Sequence, residues 1–283
     1  MITKIFYYSD EFCKFFNKII MPSGKNHGRK SSLLDSEVIT ICILFHRSGY
    51  KTFKDFYTKC VLVSMKKYFN KLVSYNRFVE LKNQLVVPLF VFSSLCKRLC
   101  TGTSFIDSTK LSVSNNKRGY SNKTFNGSAK WGHTSMGKFY GFKLHLVISE
   151  AGEVVDFIVT EGNTADNNRK LMLDFSKNLF GKLVGDKGYI GTFKYMFDKG
   201  VSVIHKIRSN MKNKLLSLED KLLLQKRGII ESVFGIMKEE LSLEHSRHRS
   251  KNGFLSHIFS TLLAYTFRPK KPHIRLYTQT INA

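Results

Sequence analysis

The 283-residue sequence is poor in acid: 21 Asp and Glu stand against 46 Lys and Arg, a formal net charge of +25. That deficit excludes an acidic partner-binding protein and predicts salt-sensitive attraction to a polyanion, nucleic acid first. Cysteine is also scarce. The five residues at 13, 42, 60, 96 and 100 are odd in number and form no CxxC pair, which excludes a disulfide framework. Long apolar runs are missing as well, since Val86 to Cys96 is too short to span a bilayer. The opening Met1 to Lys14, broken by Lys4, Asp10 and Glu11, does not read as a signal peptide. A cytoplasmic protein is the expectation. Repeats and low-complexity linkers are absent too.

What remains is a chain with 42% hydrophobic residues, apolar enough for a large core and long enough for a catalytic domain plus a smaller accessory one. Its positive charge is spread over all three thirds, so it belongs to folded faces rather than to one tail, and the middle third holds more of the acids than either of the others. The cluster from His245 to Lys251 reads as a basic surface facing DNA rather than a metal site.

Residues 1 to 100 read as an all-helical, basic, DNA-binding domain. Helices are expected from Asp10 to Ile20, after a capped start at Ser32, from Thr52 to Cys60, near Val63 to Val73, and from Phe78 to Leu99. A helical cap that touches no DNA is the alternative for this region. From residue 101 to 283 the period changes. Ser104 to Asp107 is a short strand, and Phe142 to Ile148 pairs with Val154 to Val159 as a hairpin through Ala151-Gly152-Glu153. A helix from Asn167 to Asn178, a strand Lys182 to Asp186, a helix near Thr192 to Lys199, a strand Val201 to Ile204 and a long helix from Asp220 to Leu241 follow. Three antiparallel strands and then alternation predict an α/β, RNase H-like mixed sheet flanked by helices. The polar stretch Asn115 to Thr134 reads as a loop beside the active site.

Three acids stand out. Asp107 lies behind apolar Phe105 and Ile106, where a carboxylate is costly without a partner or a task. Asp186 ends an apolar strand and runs into Lys187-Gly188-Tyr189, with Gly188 expected to let the backbone turn sharply. Glu231 sits on the long helix with Arg227 four residues before and Lys238 seven after, a spacing that places all three on one face. Phosphodiester chemistry with two divalent ions needs hard oxygen ligands on separate rigid elements, and these acids supply that pattern. Each has a plainer reading: a turn cap for Asp107, a strand-end residue for Asp186, an i, i−4 ion pair with Arg227 for Glu231.

At these residues the sequence resembles the DDE transposases of bacterial insertion sequences, most closely the group numbered 982. The resemblance runs through Ser9-Asp10-Glu11-Phe12-Cys13, Leu34 to Thr40 and Tyr75-Asn76-Arg77-Phe78, then Ile106-Asp107-Ser108, Tyr140 to His145, Gly162-Asn163-Thr164-Ala165-Asp166 and Gly185 to Tyr189. In the last motif Arg227, Glu231 and Lys238 keep the family spacing, while Leu224 stands where relatives carry Tyr. The resemblance implies binding of double-stranded DNA at terminal inverted repeats, and cleavage and strand transfer with two Mg2+ ions (Mn2+ substituting) held by Asp107, Asp186 and Glu231. It also implies DNA contacts from Arg227, Lys238 and Lys187, and a homodimer or larger assembly when two ends are synapsed. A nuclease of the same fold without strand transfer and an inactive DNA-binding remnant are the alternatives. His145 on the second strand, and Trp131 and His133 in the polar stretch, are further candidates, the latter two for stacking on an unpaired base.

Overall fold

The computed structural model describes residues 2–19, 31–69, 71–135, 137–206, 216–244 and 248–274. It divides into two compact units: Met1–Cys96 with Met237–Arg268, and Lys97–Ile236 with Pro269–Ala283. The single cut at residue 100 expected from sequence did not include the return of 237–268 to the first unit.

Among the described residues the regular elements of the first unit are all helical. Its elements are α1 (Ile2–Ile19), α2 (Asp35–His46), α3 (Phe53–Asp55) running into a π turn at Phe56–Val61, α4 (Tyr75–Gln84), α5 (Val86–Leu95) and α10 (Lys251–Thr266). Helix α2 starts at Asp35, not at Ser32. Leu34 offers no capping oxygen, but its amide donates to Glu37 Oε2 at 2.7 Å, the returning half of a capping box. Thr52 caps α3, Ser74 caps α4 and Ser250 caps α10, each through its side-chain oxygen. The apolar run expected as one helix from Phe78 to Leu99 is two helices, bent by 58°. Val63 to Val73 holds only a 3-10 turn at Lys66–Tyr68 among its described residues. Helix α10 is buried on most of its faces and packs on α2, α4 and α5. At its centre His257 is buried against His46 and His248, and its Nε2–H donates to the Ser242 carbonyl at 2.7 Å. Among the described residues no single helix is long and apolar enough to cross a membrane. All five cysteines are free thiols.

The second unit is an α/β structure built on one mixed six-stranded sheet: β1 (Thr103–Ser114), β2 (Lys130–Thr134), β3 (Gly137–Ser149), β4 (Val154–Glu161), β5 (Gly181–Gly185) and β6 (Val201–His205). Strand β3 pairs antiparallel with β1 on one side and, on the other, with β2 through its first half and β4 through its second. Strands β5 and β6 then extend the sheet parallel to β1. Short helices α6 (Arg169–Ser176), α7 (Phe193–Phe197), α8 (Leu218–Lys226) and α9 (Gly228–Gly235) complete the unit. The expected hairpin is present, with Gly152 at φ +68 in its turn and a Cβ there blocked by the Pro272 carbonyl oxygen at 2.0 Å.

Two expectations fail here. The stretch Asn115 to Thr134 is not one open loop: it holds a 3-10 turn at Asn116–Arg118, the buried Phe125 and Ala129, and strand β2. The helix expected from Asp220 to Leu241 breaks at Arg227, and past Gly235 it widens into a π turn over Ile236–Glu240. The α-helical spacing that would align Glu231 with Lys238 is therefore interrupted.

The core beneath the sheet is made by Ile106, Val147, Leu171, Met172, Phe175, Leu183, Tyr189, Met196 and Val203. Burying each such side chain contributes about 1.5–3 kcal/mol. This packing fixes the strands whose ends carry the acids.

Candidate active site

Strand register brings the first two acids together. Phe105 pairs with Val184 across the parallel β1–β5 ladder, and continuing two residues sets Asp107 beside Asp186. Phe105, Ile106 and Val184 are fully buried, which anchors Asp107 at a fixed height above the core. Its carboxyl pKa is pushed up to about 7, first by burial and then by the negative charges of Asp186 and Asp166; the Ser108 amide and Arg227 pull the other way. The Ser108 amide donates to Asp107 Oδ1 at 2.8 Å.

Asp186 follows the last residue of β5 and caps a 3-10 turn, its Oδ1 accepting from the Gly188 amide at 2.6 Å. Gly188 is not in the left-handed region, so a sharp backbone turn is not its use. Its value is the missing side chain: a Cβ would stand 2.8 Å from Asp186 Oδ1 and 3.4 Å from Asp166 Oδ2. Those two contacts also locate Asp166 next to Asp186.

Asp166 is the residue that sequence reasoning left out of the site, although it closes the motif Gly162 to Asp166. Its Oδ1 accepts from Ser108 Oγ at 2.7 Å and from Lys143 Nζ at 3.2 Å, and lies 3.7 Å from His145 Nδ1. His145 is fully buried and its Nε2 meets Thr160 Oγ1 at 2.9 Å. Burial lowers its pKa to about 4, so it stays neutral despite Asp166. Asp166, in the loop between β4 and α6, thus draws the lysine and histidine of β3 into the same electrostatic system as Asp107 and Asp186.

Glu231 is on α9, which packs on β1. Arg227, at the break before it, reaches Glu231 Oε1 with Nη2 at 2.6 Å and Asp107 Oδ2 with Nη1 at 3.8 Å. One guanidinium therefore spans the first and third acids. Lys187 is exposed one residue past Asp186. Lys238 lies in the π turn, belongs to the other unit, and stands 3.7 Å from Glu244 Oε2. Leu224, at the position of the relatives' Tyr, is buried.

The donor chemistry suits a hard divalent cation: carboxylate groups cluster here, and burial, followed by the charges of Asp186 and Asp166, raises the pKa of Asp107. Among the described residues the buried Tyr189 hydroxyl has no hydrogen-bond partner, and it feels Asp107, Asp166 and Asp186. Asp107 and Asp186 form the pair placed to hold such an ion. Glu231 as it stands faces Arg227, and among the described residues no three His, Cys, Asp or Glu side chains converge closely enough to hold one ion. The guanidinium supplies part of the positive charge that this cluster calls for.

Residues 97–251, more than half of the chain, match the family described as the transposase DDE domain. No curated protein sequence matches. Among solved structures the chain is similar to the Mos1 mariner paired end complex with Mn, at 13% identity over 89% of this chain and 84% of that one, with a TM-score of 0.24. It is similar also to the Mos1 transposase paired-end complex with the left transposon end, at 12% identity over 90% and 83%, with a TM-score of 0.25.

Proposed function

We propose, from the premise that the chain belongs to the transposase DDE domain family, that it is the transposase of a bacterial insertion sequence nearest to the group numbered 982. It binds the double-stranded inverted repeats of its element, cuts at their ends and joins the freed 3′-hydroxyl to target DNA. The observation that carries this reading is the juxtaposition of Asp107 and Asp186 at the same level of adjacent parallel strands, with the Arg227 guanidinium linking Asp107 to Glu231.

On this reading residues 101–283 contain an RNase H-like catalytic core, and the helices of residues 1–100 supply DNA-binding faces. Asp107 and Asp186, joined by Glu231 once it leaves Arg227, would hold two Mg2+ ions, for which Mn2+ would substitute. When bound, such ions activate the attacking oxygen and stabilise the charge on the leaving oxygen. The chain's own residues do the rest. Arg227 would have charge to offer a phosphate once Glu231 leaves it, Lys187 and Lys238 contact the DNA backbone, and Ser108 with Lys143 holds Asp166 in place. Two copies act together when two ends are synapsed.

The test uses purified protein with Mg2+ or Mn2+ and DNA carrying the ends that flank its gene, wild type against Asp186→Asn. Metal-dependent cutting at the repeat boundary, reduced more than about a hundredfold in the variant while DNA binding persists, is the expected result. Equal cutting by the variant removes Asp186 from the site. Cutting without any joined product favours a nuclease, and binding without cutting a remnant.

A further inference from the structure

A second site lies on the β2–β3 hairpin, a cleft of about 400 Å³ lined by Asn116, Tyr120, Trp131, His133 and Lys138. The pleat explains it. Cross-strand pairing sets Trp131 opposite Tyr140 and His133 opposite Lys138, so their side chains share one face. The other face is closed by Gly132, opposite the buried Phe139. A Cβ on Gly132 would stand 2.1 Å from the Gly162 carbonyl oxygen, so the hairpin is pressed flat on that side and its open side is the aromatic one.

Over this face the preceding turn lays Tyr120. Its ring centroid is 4.9 Å from that of Trp131, which is itself 5.4 Å from Tyr140. Tyr120 is nonetheless 90% exposed. An aromatic side chain held in solvent with its ring free on one side forfeits most of the burial that normally places aromatic residues, and it presents a flat apolar surface to a flat partner. The turn is held by Asn116, whose Nδ2 donates to the Lys138 carbonyl at 2.8 Å. That bond leaves the Asn116 amide oxygen as an acceptor at the rim.

The charge around the cleft selects the partner. Between Asp107 and Glu150 the sequence contains no acidic residue at all, while Lys117, Arg118, Lys123, Lys130 and Lys138 fall there. A planar π-surface inside an acid-free, cationic segment matches a nucleobase carried on phosphates, and stacking on aromatic rings beside a basic track is how unpaired strands are held.

We propose that this cleft binds an unpaired base of single-stranded DNA, stacked on the free face of the Tyr120 ring with Trp131 behind it, and with Lys138 at the adjoining phosphate. The proposal rests on the reading of the chain as an enzyme that processes DNA, and adds to it a site for a base that has left the duplex. Such a base is one freed at or near a cut end, where unpairing costs least.

Trp131 is the sole tryptophan of the chain, so intrinsic tryptophan fluorescence reports on this cleft alone. The full-length protein, without metal, is titrated with a short oligothymidylate, with an abasic strand of equal length and charge, and with a blunt duplex. The expected result is saturable quenching by the oligothymidylate only, with Tyr120→Ala weakening it on the order of tenfold and Tyr120→Phe restoring it. Tyr120 is so exposed that its truncation leaves the melting temperature unchanged, which separates loss of stacking from loss of fold. Quenching by the abasic strand equal to that by the oligothymidylate, unaltered affinity in Tyr120→Ala, or a strand that binds without moving the Trp131 signal each overturns the proposal. Because no metal or cutting is involved, quenching that survives in a protein with no cleavage activity sinks the transposase reading and leaves the base site standing.

Discussion

Arg227 Nη2 stands 2.6 Å from Glu231 Oε1 across one helical turn, and the same guanidinium reaches toward Asp107. The cation and any metal therefore compete for Glu231. Because Glu231 is 59% exposed, the pair is screened and worth no more than about 1 kcal/mol. Arg227→Gln is expected to tighten Mn2+ binding about twofold to fivefold by calorimetry while slowing metal-dependent cleavage. Weaker Mn2+ binding in the variant would mean that Arg227 orients Glu231 for the metal rather than competing with it.

Gly188 tests the second acid without removing it. A methyl group there meets Asp186 Oδ1 at 2.8 Å and must displace the carboxylate, whereas the backbone conformation tolerates alanine. Gly188→Ala should lower the cleavage rate by on the order of a hundredfold, the cost of misplacing a reacting group by about 1 Å, with the thermal midpoint little changed. A wild-type rate in single-turnover assays would free Asp186 from any demand for exact placement.

Asp166 balances Lys143, whose side chain is only 11% exposed. Asp166→Asn keeps an acceptor for Ser108 but leaves that ammonium facing a neutral amide, at a cost of about 1–3 kcal/mol in denaturant melts. The rise in melting temperature on adding Mg2+ should also shrink, since one carboxylate has left the cluster. A full-sized rise would show that Asp166 supports the lysine alone.

In the helical unit, burial, then the neighbouring His46 and His248, hold the His257 pKa well below 6.5. Its neutral form is the native one. The stability it contributes is complete above the unfolded value of about 6.5 and is lost as pH falls below it, at up to about 1.4 kcal/mol per pH unit. Thermal melts of the wild type should fall steeply between about pH 6.5 and pH 5, and His257→Gln should flatten that slope. Identical slopes would move the acid sensitivity to another group.

How much of this was legible in the residues differs by element. The hairpin around Gly152 and the strand leading to Asp186 were readable because alternation and turn chemistry are local signals. The break at Arg227 was not, because Lys226, Arg227 and Gly228 contain no proline and the apolar pattern continues on both sides. Strand β2 was hidden by its composition: Lys130, Trp131, Gly132, His133 and Thr134 carry one large apolar residue, and only pairing with β3 makes them a strand. Asp166 was visible in a motif but not as part of the site, since it joins Asp107 and Asp186 only through the sheet register. Helix α10, buried almost all round, gave no amphipathic period to read.

Strand β3 runs unbroken for 13 residues and includes both Lys138, at the cleft, and Leu146, which pairs with Asp107. At about 3.3 Å per residue those eight steps span roughly 26 Å of extended backbone. The strand is thus a ruler, and the offset between a captured base and the bond to be cut is a property of covalent geometry rather than of any loop. Lengthening the β2–β3 turn would leave that offset untouched. Adding one residue inside β3 would reverse every side chain beyond it and uncouple the two ends of the measure.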